Sequence, residues 1–370
     1  MTVPADSPCL PDHQGACVSN IVPTLLGRPA SRPSWFPAPA FDADQVVLLV
    51  LDGLGWEQMS ERVELTPTLW SLQGGPITTV APSTTASALA SITVGVPPGE
   101  HGVVGYRIAT NGTILNVLRW ATPSGDARKA VPPRDFQPIE PFLGLRPPAV
   151  TKAEFARSGF TLAHLRDARW HPWRMPSTLV AEVSMLARAG EPFVYAYYDG
   201  LDKVAHEYGL GPHYEAELGF VDRLVADLLG VLPEGVALLV TADHGHVHTG
   251  EEVVDLADPV RELASHMSGE ARFRWLHARD GHDARLLERA AECHGDVAWV
   301  VGIDQVIAEG WFGPVVSSES AKRLGDVAVV SKSRVSFDDP ADSGPIRLIG
   351  RHGGLTEAEM LVPLLVGTPT

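Results

Sequence analysis

Five stretches of the chain set carboxylates, imidazoles and hydroxyls at positions where they could act together. They are Asp52 in "LVLDGLG"; Ser83, Thr84 and Thr85 in "APSTTASALASITVG"; Asp202 and His206 in "YYDGLDKVAHEYG"; Asp243 and His244 in "VTADHGHVHTG"; and His352 in "GRHGGLTEAEM". Aspartate and histidine together suit zinc or manganese. Asp202 and His206 lie four apart, so on one helical turn both side chains point the same way. The chain carries a formal net charge of −16, so an anionic substrate would need local positive charge. A bound cation could supply it.

Each residue also has an ordinary structural reading. An aspartate after a strand commonly caps the next helix, and hydroxyl residues at a helix start do the same. A histidine in a glycine-rich loop, such as His352, is more often structural than a ligand. Asp199 and Asp202 could be solvated loop charges. The joint order of these residues along the chain favours a shared site.

The elements that must position them are legible. Val46 to Leu51 is a short, continuous apolar run ending at Asp52, as expected of a buried parallel strand. "FVYAYYD" and "VALLVTADHG" repeat the pattern, with acidic residues following each run. In open α/β sheets, sites collect at the C-terminal edge of the strands. "STTASALASITVG" reads as a helix stopped by Gly95. "HYEAELGFVDRLVADLLGVLPEG" places Leu218, Val221, Val225 and Leu228 on one helical face. "LTEAEMLVPLLVG" combines a capping box, Thr356 to Glu359, with a final apolar strand. The predicted fold is therefore α/β, with a largely parallel central sheet and helices on both faces.

Two segments fit this alternation poorly. Residues 110–190 are rich in proline, arginine and tryptophan. Residues 250–345 hold two short strand-like runs, "VAWVVG" and "DVAVVS", between site-like segments. The expected organisation is an irregular lead-in over 1–40, then one α/β domain over 41–370 with a smaller inserted subdomain at about 250–345.

Composition narrows the function. With 29 basic against 45 acidic residues, the chain is not expected to bind duplex nucleic acid or an anionic membrane nonspecifically. The three cysteines, Cys9, Cys17 and Cys293, form no CxxC motif and suggest neither a disulfide framework nor a cysteine zinc site. The first residues show no basic segment followed by an apolar one, and no apolar run reaches the length of a membrane span. Cytoplasmic location is the expectation.

The motifs "VVLLVLDGLG", "APSTTASALASITVGVPPGEHGVVGY", "YAYYDGLDKVAHEYG", "VTADHGH" and "RHGG" occur in an order that resembles the alkaline phosphatase superfamily. Within it they are most similar to the type I phosphodiesterase and nucleotide pyrophosphatase branch. The resemblance implies an alkaline-phosphatase-like core and two zinc ions, with manganese as the alternative metal. It implies that Asp52, Asp243 and His244 hold one ion beside the nucleophile, and that Asp202, His206 and His352 hold the other. The proline, two residues and threonine of the family pattern place the nucleophile at Thr85, which would also touch metal; Ser83 and Thr84 are its close competitors. His246 and His248 have no ligand role in the pattern; His246 is expected to neighbour the ligands or face substrate, and His248 to lie at the surface.

The implied activity is hydrolysis of a small-molecule phosphoester, a nucleotide among the candidates, through a phosphothreonine. A phosphomonoesterase, a phosphonate hydrolase and a noncatalytic protein of the same fold are the alternatives. Nucleotide-cleaving relatives carry an asparagine for a phosphoryl oxygen where this chain has Tyr106. Tyr106 and Arg107 are therefore the expected substrate-binding substitutes, against a reading in which Tyr106 packs and Arg107 is solvated. No Cys-x-Pro-x-Arg sulfatase motif is present. Oligomeric state is not encoded in any of these patterns.

Overall fold

The computed structural model describes residues 7–342 and 348–369; residues 343–347, at the end of the expected insertion, lie outside the described residues, as do 1–6 and 370. A seven-stranded sheet forms the centre. In chain order its strands are β1 (Gln45–Leu51), β2 (Gln73–Thr78), β3 (Pro148–Lys152), β4 (Arg169–Trp173), β5 (Phe193–Tyr198), β6 (Val236–Thr241) and β7 (Leu361–Gly367). Their order across the sheet is β2-β7-β6-β1-β5-β3-β4. β6, β1, β5, β3 and β4 are paired parallel, while β7 runs antiparallel to both β6 and β2. β5 and β6 are buried throughout, as is β1 from Val46 onward. That is why all three read as unbroken apolar runs.

Three helices matter for the site: α1 (Thr85–Val94), α2 (Gly200–Tyr208) and α3 (Pro212–Val231). α1 ends on Gly95 at φ 79°, a left-handed position that suits glycine. α3 buries Leu218, Val221, Val225 and Leu228, the face its spacing predicts.

β3 and β4 fall inside the stretch whose pattern did not read as α/β. Pro148 opens β3, and β4 is an edge strand containing Pro172. Proline is tolerated at those places, but it hides the strand signal. Residues 107–126 form a small antiparallel meander over the sheet's C-terminal edge. The lead-in is less irregular than its composition suggests. Ile21–Gly27 is helical, and Cys17, Val18, Ile21 and Val22 are fully buried in the main core.

Between Ala264 and Ser331 a separate four-stranded antiparallel sheet contains both runs noted in the sequence, at Ala298–Gly302 and Val327–Ser331. It packs its own apolar cluster, including Val260, Leu276, Leu286, Val329 and Phe337.

Candidate active site

The three adjacent parallel strands β5, β1 and β6 deliver the site to one edge of the sheet. Asp52 follows β1, and Asp243 and His244 follow β6. Asp199 follows β5 at the N-cap position of α2, its carboxylate held by Lys152 and Lys203, and the first and last turns of α2 carry Asp202 and His206. His352 comes after the two-residue strand Gly350–Arg351, which pairs with Val247–His248. Gly53 is required where it stands. Its φ is 79°, and a Cβ there would lie 2.7 Å from His246 Nε2.

Among the described residues three compact groups result: Asp52 with Asp243 and His244; Asp202 with His206 and His246; and Asp202 with His244 and His352. Asp202 Oδ1 stands 3.3 Å from His206 Nε2, 3.1 Å from His246 Nε2 and 3.8 Å from His352 Nε2. His244 Nε2 lies 3.4 Å from Asp52 Oδ1 and 3.5 Å from Asp243 Oδ2. Asp52 Oδ1, Asp202 Oδ1 and Asp243 Oδ2 are nevertheless buried without a hydrogen-bond partner. Donor atoms this close but not aligned on one another point at common positions between them. Separations of about 3.3 Å are what two ligands at zinc distances in a tetrahedron would show.

The opposite ends of these side chains are held. His206 Nδ1 meets Gly350 O at 2.7 Å, His352 Nδ1 meets Ser83 O at 2.9 Å and His244 Nδ1 meets Gly245 O at 3.1 Å. A backbone carbonyl fixes the proton on Nδ1 and leaves Nε2 as a lone pair facing the site. Tyr197 donates its hydroxyl to Asp52 Oδ2, and the Gly53 and His244 N–H groups donate to Asp243 Oδ1. These residues therefore fit divalent cations: neutral nitrogens, one orphaned oxygen on each carboxylate, and oriented rings.

Burial pushes the Asp52 carboxyl well above its usual range, and the Asp243 and Asp202 charges add to the push. Burial likewise raises Asp243 to about 7 and lowers His244 to about 3. His246 and His352 are also held below their usual value, chiefly by burial. Burial works against Asp202 as well, but His206, His246 and His352 together hold it well below the carboxylate range. Without a cation the site thus keeps the His244, His246 and His352 rings neutral and protonates Asp243 below about pH 7. The proton bound by Asp243 stabilises the metal-free fold at low pH, and that contribution fades as pH rises from about 4 to about 7. A cation needs the ionised carboxylate, so the gain in melting temperature on adding zinc is expected to be small at pH 5 and to level off above about pH 7. A zinc effect independent of pH would contradict this.

The three hydroxyls sort by their partners. Ser83 Oγ is fully buried, donates to Gly354 O at 2.7 Å and accepts from Gly353 N at 3.1 Å. It fastens the His352 loop to the start of α1. Thr84 occupies the N-cap position of α1 without a side-chain cap hydrogen bond and lines the cleft together with Glu270. Thr85 Oγ1 alone of the three reaches the cluster, 3.1 Å from His244 Nε2. Ser83→Ala is accordingly expected to cost about 1–3 kcal/mol of stability by stranding two backbone groups. It should leave most of the turnover of the folded protein; a loss as large as that of Thr85→Ala would show that Ser83 acts in the chemistry.

Thr85 lies between two hollows. A cleft of about 650 Å³ is lined by Thr84, Thr85, Tyr106, Arg119, Glu270 and Arg274, among others. A narrower pocket of about 200 Å³ meets Thr85 from the other side, with Leu89, Leu118, Phe155, Phe160 and Leu165 in its wall. Tyr106 faces the cleft, its hydroxyl accepting from Asn116 Nδ2 at 2.6 Å. Arg107 is not solvated and does not itself line the cleft, although Asp339 and Asp342 beside it do. Its guanidinium is buried against Asp339, with Asp342 at 4.0 Å. A carboxylate of the inserted region outcompetes water for that cation, so its placement does not favour the substrate contact expected of it.

Two contributors carried no sequence signal. Glu270, on the hairpin of the small sheet, enters the cleft with Oε1 unpartnered, and burial raises its carboxyl to about 8. Tyr197 is one more aromatic in an apolar strand until its hydroxyl is seen on Asp52.

The family model for type I phosphodiesterase / nucleotide pyrophosphatase matches residues 46–355, which contain every strand-end residue described above. The chain belongs to that family. Family membership makes it a phosphoester hydrolase. Among solved structures, an inactive variant of the murine ectonucleotide pyrophosphatase/phosphodiesterase 5 in complex with AMP is 15% identical, with a TM-score of 0.66 over 88% of each chain. Phosphonoacetate hydrolase from Sinorhizobium meliloti, in complex with phosphonoformate, is 18% identical, with a TM-score of 0.65 over 89% of this chain and 91% of that one. The human ectonucleotide pyrophosphatase/phosphodiesterase 5 is 14% identical, with a TM-score of 0.64 over 88% of each chain. At these identities the likeness speaks for the fold. No curated protein matches the chain.

Proposed function

We propose that the protein is a two-metal phosphodiesterase or nucleotide pyrophosphatase that works through a phosphothreonine at Thr85. The observation that carries this is the position of Thr85 Oγ1, 3.1 Å from His244 Nε2, at the N-terminus of α1 and at the junction of the two hollows. Asp52, Asp243 and His244 would hold one zinc ion, with manganese as the alternative metal, and Asp202, His206 and His352 the other. Bound there, the ions would make the Thr85 alkoxide accessible near neutral pH and draw charge from the phosphoryl oxygens.

The chain's own residues supply the rest. Thr85 Oγ forms a bond to phosphorus as the bond to the leaving oxygen breaks, and water later displaces the threonine. The N–H groups at the start of α1 point at the phosphoryl group and favour its negative charge. Tyr106 lines the approach. The apolar pocket beside Thr85 suits a bulky, uncharged or aromatic ester group, and this favours a diester over a monoester.

Turnover of bis-p-nitrophenyl phosphate, p-nitrophenyl phosphate, dinucleotides, nucleoside triphosphates and phosphonoacetate, each with zinc or manganese, tests the reading. The diesters or nucleotides are expected to give the highest kcat/KM. A higher value for the monoester or the phosphonate would replace this reading with that alternative. Metal binding without turnover of any substrate would leave a noncatalytic protein.

A further inference from the structure

His246 is the one imidazole of the cluster without a role in the reading above. It is fully buried behind Gly53, and its Nε2 lies 3.1 Å from Asp202 Oδ1. Neither of those two atoms has a hydrogen-bond partner, so the approach is close without being aligned as a donor on an acceptor. Its ring stands edge-on to those of His206 and His352, with centroids 5.3 Å away in each case. A buried polar group left in this state costs free energy unless a missing partner completes it. With Asp202 and His206 it forms one of the three compact ligand groups.

We propose that His246 is a further metal ligand, donating Nε2 to the cation held by Asp202 and His206. This rests on the two-metal reading and adds a residue to its second site. His352, 3.8 Å from Asp202 Oδ1, then takes the outer corner, stacked on His244 at 3.6 Å between centroids. The two ions become unequal. The Asp52 set has three protein ligands and an open corner toward Thr85. The Asp202 set has three imidazoles and one carboxylate, a nitrogen-rich donor set that suits zinc and disfavours magnesium or calcium.

The bland alternative is that His246 donates a hydrogen bond that orients Asp202. Two substitutions separate the roles. His246→Gln keeps an N–H able to reach a carboxylate but offers a poor zinc ligand; His246→Leu fills the space and offers neither. Zinc binding to the metal-free protein is read by competition with a chromophoric chelator. Wild type is expected to bind two ions. Both variants should keep one site at its original affinity, which also shows that they fold, and weaken the other by at least about tenfold. Affinity restored in His246→Gln would overturn the ligand role in favour of orientation, and unchanged affinity in both would overturn it outright. Fewer than two ions in wild type would instead sink the two-metal reading on which it rests. A direct check needs no variant: wild-type protein loaded with ¹¹³Cd and labelled with ¹⁵N should show scalar coupling between cadmium and the His246 ring. Its absence, with coupling present for His206, would also overturn the proposal.

Discussion

Thr85→Ala is expected to abolish turnover while leaving metal content unchanged. Thr85 is the only one of the three adjacent hydroxyls placed in the cluster, so no neighbour can replace it. Losing a covalent nucleophile removes the two-step route, and the rate should fall by about 10³-fold or more. The aspartates and histidines remain, so zinc binding should be retained. Thr84→Ala removes a hydroxyl that makes no capping hydrogen bond to α1, so it should cost less than the roughly 0.5–2 kcal/mol of a side-chain cap and leave the rate within an order of magnitude. All measurements belong at saturating zinc, where a change in metal affinity cannot pass for a change in chemistry. An active Thr85→Ala protein would mean that water attacks phosphorus directly. A dead Thr84→Ala beside an active Thr85→Ala would move the nucleophile by one residue.

The site was legible where its chemistry coincides with a local pattern. Asp52, Asp243 and His244 each follow a buried parallel strand, and such strands announce themselves as apolar runs. Asp202 and His206 lie four apart on one face of α2, so their spacing alone pairs them. His352 lies far along the chain, yet its loop is drawn to the start of α1 by Ser83, a contact no sequence period encodes. What stayed hidden depends on approach from another layer. Glu270 and Asp339 reach the region of Thr84 and Arg107 from the inserted segment, across separations of more than a hundred residues that composition cannot bridge. Arg107 is the clearest case: the residue type suits a phosphoryl oxygen, but in the structure it is paired with Asp339. His246 shows the opposite case. The family pattern offers it no ligand role, and its buried, unpartnered Nε2 beside Asp202 is visible only in the structure. β3 and β4 carry a weak strand signal because Pro148 opens the first and Pro172 sits within the second, places where a first residue and an edge strand tolerate proline.

Arg272→Ala should be the most damaging single change outside the ligands. Arg272 sits in the turn of the inserted hairpin and is fully buried. Its Nε and Nη2 meet the two oxygens of Glu359 at 2.6 and 2.8 Å, and Nη1 donates to Ser333 O and Val335 O. Glu359 in turn accepts from Gly354 N at 2.8 Å and from the Thr356 hydroxyl at 2.6 Å, and its backbone carbonyl accepts from Gly245 N at 2.9 Å. One buried pair therefore ties the inserted sheet to the loops that follow His352 and His244. Removing the arginine leaves a carboxylate buried without its countercharge, at an expected cost of about 3–5 kcal/mol in denaturant unfolding. Replacing both partners with apolar residues, Arg272→Met with Glu359→Leu, removes the stranded charge and should recover much of that stability. It should not recover zinc affinity in full, because Gly354 N loses its acceptor and the segment after His352 loses one of its ties, leaving Ser83 and the Gly350–Arg351 strand pairing to place it. Stability and metal binding should thus separate in the double variant. If they recover together, the pair is needed only for folding, and Ser83 with the Gly350–Arg351 strand pairing is sufficient to place His352.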